Sequence, residues 1–371
     1  MSRILVTGGA GFVGTELVYR LHARGDDVVV VDSFDRQVHD GIGFELPARL
    51  YRESVGSSHC REIVRDCDKI VHLAAVVGVG QSMYQIARYV KENTYATACF
   101  LENLVEVGNC QKLVVASSMS IYGEGASECP SCEWITYGSR SEEALSVGVW
   151  RVPCPACGEW TVPAPTPEDA PLRPSSVYAI TKRDHEELCL TVGGVYGIPT
   201  IALRFFNIYG PGQALSNPYT GVAAIFASRI LNGKPCRIYE DGKQARDFIH
   251  VSDVVDAIVA ALDADPHGPA VGQTINVGTG VPIPVSAVAN QIAVGLGHGS
   301  VPRPEYDGFR VGDIRACYAD VTRARLLLDW KARVAFEDGM YEYATWLGKQ
   351  SIPRDHSGLA QQALVANRLL R

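Results

Sequence analysis

Short, almost wholly apolar runs alternate with segments whose apolar residues recur every three or four positions through the first half of the chain. Arg3-Ile4-Leu5-Val6, Val28-Val29-Val30-Val31, Lys69-Ile70-Val71-His72-Leu73-Ala74-Ala75 and Lys112-Leu113-Val114-Val115-Ala116-Ser117 read as strands buried on both faces, with Thr200-Ile201-Ala202-Leu203-Arg204-Phe205 a later one. Between them Thr15 to Leu21 and Tyr89 to Val107 carry helical spacing. Such alternation predicts an α/β fold with a doubly wound parallel sheet. From about Asn207 the pattern is mixed: loops rich in Gly and Pro, helices at Val222 to Leu231 and Val254 to Leu262, and a short strand at Thr274 to Val277. After Pro353, Leu359, Ala363, Ala366 and Leu370 predict a helix in the tail whose stripe docks on its own or a neighbouring subunit. No internal repeat is visible.

Composition narrows the class. The 371 residues are 47% hydrophobic and 20% charged, enough to bury a large core in one or two domains. A net charge of -7 without a basic stripe argues against a nucleic-acid partner. The apolar runs are too short to span a bilayer, and the chain runs directly into its first strand, leaving no room for a signal peptide. A cytoplasmic protein is expected, so the eleven cysteines point to thiols or metal ligands and not to a disulfide framework.

Thr7-Gly8-Gly9-Ala10-Gly11-Phe12-Val13-Gly14 joins the first strand to the first helix. Gly8 would make the turn, Gly11 would let the backbone approach a pyrophosphate, and Gly14 would let helix and sheet pack closely, with the anion at the helix N-terminus. Asp32 closes the second strand, where its carboxylate suits the two hydroxyls of an adenosine ribose and would repel a 2'-phosphate; NAD is expected rather than NADP. The sheet is thus read as Rossmann-type. Residues 1–206 form the NAD-binding domain, 207–346 a smaller mixed α/β substrate-binding part with some segments returning to the sheet, and 347–371 the tail helix.

Tyr178 and Lys182 lie one helical turn apart. A unit charge about 4 Å from a phenol at an effective dielectric near 20 is worth about 4 kcal/mol, or roughly three pKa units, which would bring tyrosine toward neutrality as a general base. The same spacing also arises by chance on helices, and only the glycine run gives it weight.

These motifs, with Ser117-Ser118-Met119-Ser120-Ile121-Tyr122-Gly123, Arg204 to Pro211, Arg246 to Asp253 and Arg310-Val311-Gly312-Asp313, resemble the extended short-chain dehydrogenases that act on nucleotide sugars. The resemblance implies Ser118, Tyr178 and Lys182 as the catalytic set, with Lys182 also holding the nicotinamide ribose. It implies Gly8, Gly11, Phe12, Val13, Gly14, Asp32, Ala74 and Asn93 as further cofactor contacts. Ser118, Asn207, Arg246 and Arg310 would hold substrate, the last three at its diphosphate, and Asp313 its nucleotide ribose; arginine suits phosphate because its fork donates in pairs. His72 ends an apolar strand and is read as a core residue. The implied activity is 4-epimerisation through transient C4 oxidation. Met119 and Ser120 stand where 4,6-dehydratases of this family carry an Asp-Glu pair, and neither can do that acid-base chemistry. A C4 reductase, a decarboxylase and a 4,6-dehydratase are the alternatives within the family, the last disfavoured by those two residues, and a non-catalytic NAD-sensing protein is the alternative outside it. Val77 occupies a position where some galactose-type epimerases have lysine, so UDP-galactose is not implied as substrate. Family members often form homodimers through paired helices.

One segment, 124–172, is longer than the family usually has. It carries Cys129-Pro130-Ser131-Cys132 and Cys154-Pro155-Ala156-Cys157-Gly158, two knuckles able to set four thiolates around a structural Zn²⁺; four buried or redox-active thiols are the alternative. Both ends of this insert abut catalytic residues, so it is expected to shape the substrate pocket or a subunit contact. Bacterial relatives with such an insert include enzymes of dTDP-6-deoxyhexoses such as dTDP-L-rhamnose. Cys60, Cys67, Cys99, Cys110, Cys189, Cys236 and Cys317 show no ligand spacing and are read as ordinary thiols.

Overall fold

The structure is a computed structural model that describes residues 2–39, 45–219, 221–299 and 304–371. Its main sheet has seven parallel strands: β1 (Arg3–Thr7), β2 (Asp27–Asp32), β3 (Arg49–Arg52), β4 (Lys69–His72), β5 (Lys112–Ser118), β6 (Thr200–Phe205) and β7 (Thr274–Val277), in the order β7-β6-β5-β4-β1-β2-β3. The apolar runs explain this placement. Along β1, Ile4 and Val6 point to one face and Leu5 to the other, and all three are fully buried because both faces are covered.

Four helices do most of that covering: α1 (Phe12–Arg24), α2 (Ala96–Val107), α3 (Val177–Tyr196) and α4 (Val251–Asp263). Leu17, Val18 and Leu21 of α1 meet Val254, Ile258 and Leu262 of α4 over Ile4, Val6, Val28 and Val30. Phe100, Leu101 and Leu104 of α2 and Cys189 of α3 pack with Leu5, Val29, Leu113 and Val115 beneath. Ser176 caps α3 by accepting from the Ala179 N–H at 3.1 Å, which fixes the start of the helix that carries Tyr178. The helix expected from Tyr89 to Val107 contains a turn of π-helix at Val90–Tyr95 before α2 begins.

Chain order reverses between β1 and β4, so the carboxyl ends of these strands open a crevice. A second core of Tyr209, Phe226, Ile230, Phe248, Val288, Ile292, Met340 and Tyr343 lies among the helices Val222–Leu231, Val285–Gly295 and Phe336–Leu347. It supports strand Ala245–His250, which pairs with Asn207–Tyr209, Pro282–Pro284 and Ala316–Cys317. The cysteine-bearing segment forms its own three-stranded sheet from Ser127–Glu128, Ile135–Thr136 and Val162–Pro163.

The tail is helical at Ser357–Ala366, but the stripe expected from Leu359 is not the docked one. Ala360 and Leu364 are buried, whereas Leu359 is 63% exposed. Gly80 decides this, because it lies against the Leu364 side chain and leaves room there for a leucine. The last residues then pair with Phe309–Val311, through Phe309 N–H to Arg371 O at 2.7 Å and Val311 N–H to Leu369 O at 2.9 Å. Among the described residues no helix is long and apolar enough to cross a membrane.

Candidate active site

A cleft of about 1440 Å³ runs along the carboxyl ends of β1, β2, β4, β5 and β6 and continues into the second half of the chain. At one end the glycine run bends around the crevice. Gly8 has φ +68°, and a Cβ there would lie 2.8 Å from Ala74 N; a Cβ on Gly14 would lie 2.3 Å from Gly8 O. Only glycine permits this turn and this helix approach. Gly11 caps α1 without a side-chain acceptor, so the first amides of the helix, at Phe12 and Val13, face the cleft as donors. Asp32 is held at the end of β2 by the N–H groups of Ala10 at 3.1 Å and Phe34 at 2.9 Å, and it lines the same cleft. Ala74 also lines it.

Asn93 does not. Its side chain accepts from Val76 N–H at 2.7 Å and donates to Val76 O at 3.1 Å and to Thr181 Oγ1 at 2.9 Å. It ties the loop after β4 to α3 and lies behind the cleft wall, with both amide hydrogens spent on Val76 O and Thr181 Oγ1 and its oxygen on Val76 N–H.

Ser118, Tyr178 and Lys182 face the middle of the cleft. Ser118 ends β5 and accepts from Ser120 N–H at 3.2 Å, so it caps a turn with its hydroxyl beside the Tyr178 phenol. Burial raises Tyr178 above its ordinary pKa, and the Ser118 hydroxyl opposes that rise. The expected direct lowering by Lys182 is therefore not what the side chains show. Burial brings Lys182 down to about 8, and its ammonium lies 3.4 Å from His185 Nδ1. Beneath it His72, pushed down to about 3 chiefly by burial, hydrogen-bonds Thr7 Oγ1 at 2.8 Å and Thr97 Oγ1 at 3.0 Å, as befits a satisfied core histidine. His185 was marked by no sequence motif.

At the far end Asn207, Arg246, Arg310 and Asp313 also line the cleft. Arg246 Nη2 reaches Asp313 Oδ1 at 2.9 Å, and Arg310 Nη2 reaches Asp313 Oδ2 at 3.1 Å. Burial would raise the Asp313 carboxyl, but the Arg310 and Arg246 guanidinium groups outweigh it and hold the carboxyl below its usual range. Arg310 also lies over the Tyr239 ring, 5.7 Å from its centroid. Among the described residues, Asn207 Oδ1 and Arg310 Nε are buried without a hydrogen-bond partner, so this end retains donor and acceptor capacity. Tail residues including Ser357, Ala360 and Leu364 complete the wall.

No described residue of 124–172 lines the cleft, which removes the expectation that the insert shapes the pocket directly. Its cysteines do converge. The Sγ atoms of Cys129, Cys132, Cys154 and Cys157 all lie within 4.8 Å of one another, with Cys129–Cys157 at 3.5 Å, Cys132–Cys154 at 3.6 Å and Cys132–Cys157 at 3.8 Å. A tetrahedron with metal–sulfur bonds of about 2.3 Å has edges of about 3.8 Å, so the thiols fit a zinc-type site. Both knuckles are wired alike: Glu133 N–H donates to Cys129 O and Gly158 N–H to Cys154 O, each at 2.9 Å, with positive φ of 54° and 79° at the donors. Elsewhere burial pushes the Cys60, Cys67, Cys110, Cys189, Cys236 and Cys317 thiols up to about 12, which suits unreactive core positions.

A parallel sheet with a glycine turn at its switch point, a Ser-Tyr-Lys set and an arginine pair across one cleft define a dinucleotide-dependent short-chain dehydrogenase architecture. Residues 4–143 and 155–278 match the NAD dependent epimerase/dehydratase family, and the chain belongs to it. The unmatched 144–154 lie inside the cysteine segment. Over 357 residues the chain is 32% identical to a dTDP-L-rhamnose 4-epimerase of Burkholderia thailandensis, covering 94% of this chain and 95% of that one. It is 29% identical to a UDP-N-acetyl-alpha-D-glucosaminuronate decarboxylase of Bacillus cytotoxicus, covering 93% and 97%. Among solved structures it is similar to MoeE5 in complex with UDP-glucose and NAD, with a TM-score of 0.73 and 32% identity over 93% of this chain and 98% of that one.

Proposed function

We propose that this protein is an NAD-dependent 4-epimerase of a UDP- or dTDP-linked hexose. The observation that carries the reading is a single cleft holding the glycine turn with Asp32 at one end, Ser118, Tyr178 and Lys182 in the middle, and Asn207, Arg246, Arg310 and Asp313 at the other. On this reading residues 1–206, less 124–172, bind NAD, 207–346 bind the substrate, and 347–371 close one wall.

Bound NAD supplies a hydride acceptor that can return what it takes. Tyr178 accepts the proton of the sugar 4-hydroxyl as the C4 hydrogen leaves as hydride, and Ser118 donates to the oxygen as it becomes a carbonyl. Lys182 holds the nicotinamide ribose, and the Ser118 hydroxyl, not Lys182, opposes the rise that burial imposes on the Tyr178 phenol. The amides at Phe12 and Val13 hold the pyrophosphate and Asp32 the adenosine ribose. Asn207, Arg246 and Arg310 grip the substrate diphosphate and Asp313 its ribose. Held at its diphosphate by Asn207, Arg246 and Arg310, the 4-keto sugar would be free to present its other face, and Tyr178 would return the proton to oxygen as the hydride returns to C4. Met119 and Ser120 offer no acid-base pair for a 4,6-elimination. The 32% identity to a dTDP-L-rhamnose 4-epimerase favours a dTDP-6-deoxyhexose. Decarboxylation is the second reading, favoured by the decarboxylase relative.

The four cysteines are assigned to one structural zinc per chain, which metal analysis tests directly. A cytoplasmic homodimer is proposed as well, with exposed Val90, Tyr95 and Ile180 on adjoining helical turns as its apolar contact. The deciding experiment is incubation with UDP-, dTDP- and GDP-sugars and separation of products. C4 epimers formed without net change in NADH are expected; a 4-keto-6-deoxy product or release of carbon dioxide would reject the reading.

A further inference from the structure

The insert does not touch the cleft, yet one of its side chains reaches the residues that do. Arg140 lies eight positions beyond Cys132, past the strand Ile135–Thr136. Tyr137 O accepts from Arg173 Nη1 at 2.8 Å, and Gly138 leaves room for Val152, so the chain between knuckle and arginine is fixed on both sides. The Arg140 side chain is 1% exposed. Its Nε donates to Glu124 Oε1 at 2.6 Å, its Nη1 to Glu240 Oε1 at 2.6 Å and its Nη2 to the Asp313 carbonyl at 2.9 Å.

The last two contacts matter together. Asp313 accepts from Arg246 and Arg310, and Glu240 directly follows Tyr239, the ring beneath the Arg310 guanidinium. Glu240 sits at φ +56°, a conformation rare for a non-glycine residue, and its second oxygen takes Arg315 Nη1 at 3.1 Å. Arg315 N–H in turn donates to Glu124. One buried fork therefore ties together the two supports of Arg310 and the insert strand that begins at the cysteine cluster.

We propose that Arg140 is a positioning residue for the nucleoside-diphosphate end of the substrate: it holds Asp313 and Glu240 so that Arg310 and Arg246 present their donors to phosphate, and the cysteine knuckle serves to deliver it. This rests on the assignment of Arg246, Arg310 and Asp313 to substrate. A planar fork with three donors in fixed directions is what the three acceptors require, and a single ammonium cannot span them.

The test is Arg140→Lys, which keeps the charge opposite Glu124 and Glu240 but not the fork, measured beside Arg310→Met. UDP and dTDP are titrated calorimetrically into the NAD-loaded proteins, and bound NAD per chain is counted. Arg140→Lys is expected to bind the nucleoside diphosphates about tenfold more weakly with NAD content unchanged, and to raise KM with kcat held within about twofold. Wild-type nucleoside-diphosphate affinity in Arg140→Lys, with Arg310→Met weakened, overturns the positioning role and leaves the substrate assignment intact. Wild-type affinity in Arg310→Met overturns that assignment itself. Loss of NAD together with UDP in Arg140→Lys also overturns the proposal, since the residue would then serve the fold at large. If Arg140→Lys does not accumulate folded, Glu240→Gln is held to the same outcomes.

Discussion

At one end of the cleft the donors are main-chain amides at Phe12 and Val13, set by glycines whose Cβ atoms would strike Gly8 O and Ala74 N. At the other they are the Arg246 and Arg310 guanidinium groups, which share the single carboxylate of Asp313. The first arrangement has no charged side chain to misplace and fails only by steric intrusion. The second is a balance of charges from separate segments, so losing any one partner leaves the others uncompensated. Two ways of holding an anion thus carry different vulnerabilities, local shape in one case and assembly in the other.

Removing the chemistry should leave both ends untouched. Tyr178→Phe is expected to lower the rate of C4-epimer formation by about 10²- to 10⁴-fold, with bound NAD and UDP affinity near wild type. If both affinities fell with the rate, the tyrosine would belong to the binding frame. Gly14→Ala attacks the amide end by volume alone. It should lose stability by about 1–3 kcal/mol in denaturant unfolding and lose most of its bound NAD, and ordinary NAD retention would show that helix and turn can separate without harm.

Arg310→Met attacks the guanidinium end and should raise KM for the nucleotide sugar by roughly ten- to a hundredfold, in keeping with the ~1.5–3 kcal/mol of a hydrogen bond to a charged group. Added salt should weaken UDP binding in the wild type more than in this variant; equal salt slopes would remove the charge-based account.

The smallest effect concerns Lys182, which lies between the ends. Its folded pKa, near 8, is below the ordinary lysine value, so from about pH 8 upward the unfolded chain holds a proton that the folded one has released, and stability rises with pH. Between about pH 8 and about pH 9 this amounts to about 1 kcal/mol, and it should vanish in Lys182→Met. The difference between the two proteins is the readout, measured on NAD-stripped samples. Above about pH 9 the buried thiols, whose folded pKa values are raised, push stability the other way in both.

Much of this was legible along the chain. The glycine run, Asp32, the strands and the cysteine pairs are each written in adjacent residues, because turns, strands and knuckles are local geometries. Asn93 shows where that legibility ends. Its motif position suggested a cofactor contact, but the folded loop at Val76 takes up its amide. The tail shows the same limit, since helical spacing identified the helix but not the docked face, which depended on a gap above Gly80. Arg140 carried no signal at all. It is one arginine in a polar stretch, and its meaning comes from Glu124, Glu240 and Asp313, up to 173 positions away.

The sequence by itself determined a parallel α/β sheet, a dinucleotide-type turn and a four-thiol cluster, because each follows from spacing within a few residues. Only the tertiary structure decided that Asp313 is the hinge between two arginines, that Lys182 leans toward His185 rather than its tyrosine, and that the insert reaches the site through Arg140 behind it. Those outcomes depend on which buried charges meet across the fold, and a charge taken out of water must find whatever partner the packing brings within reach.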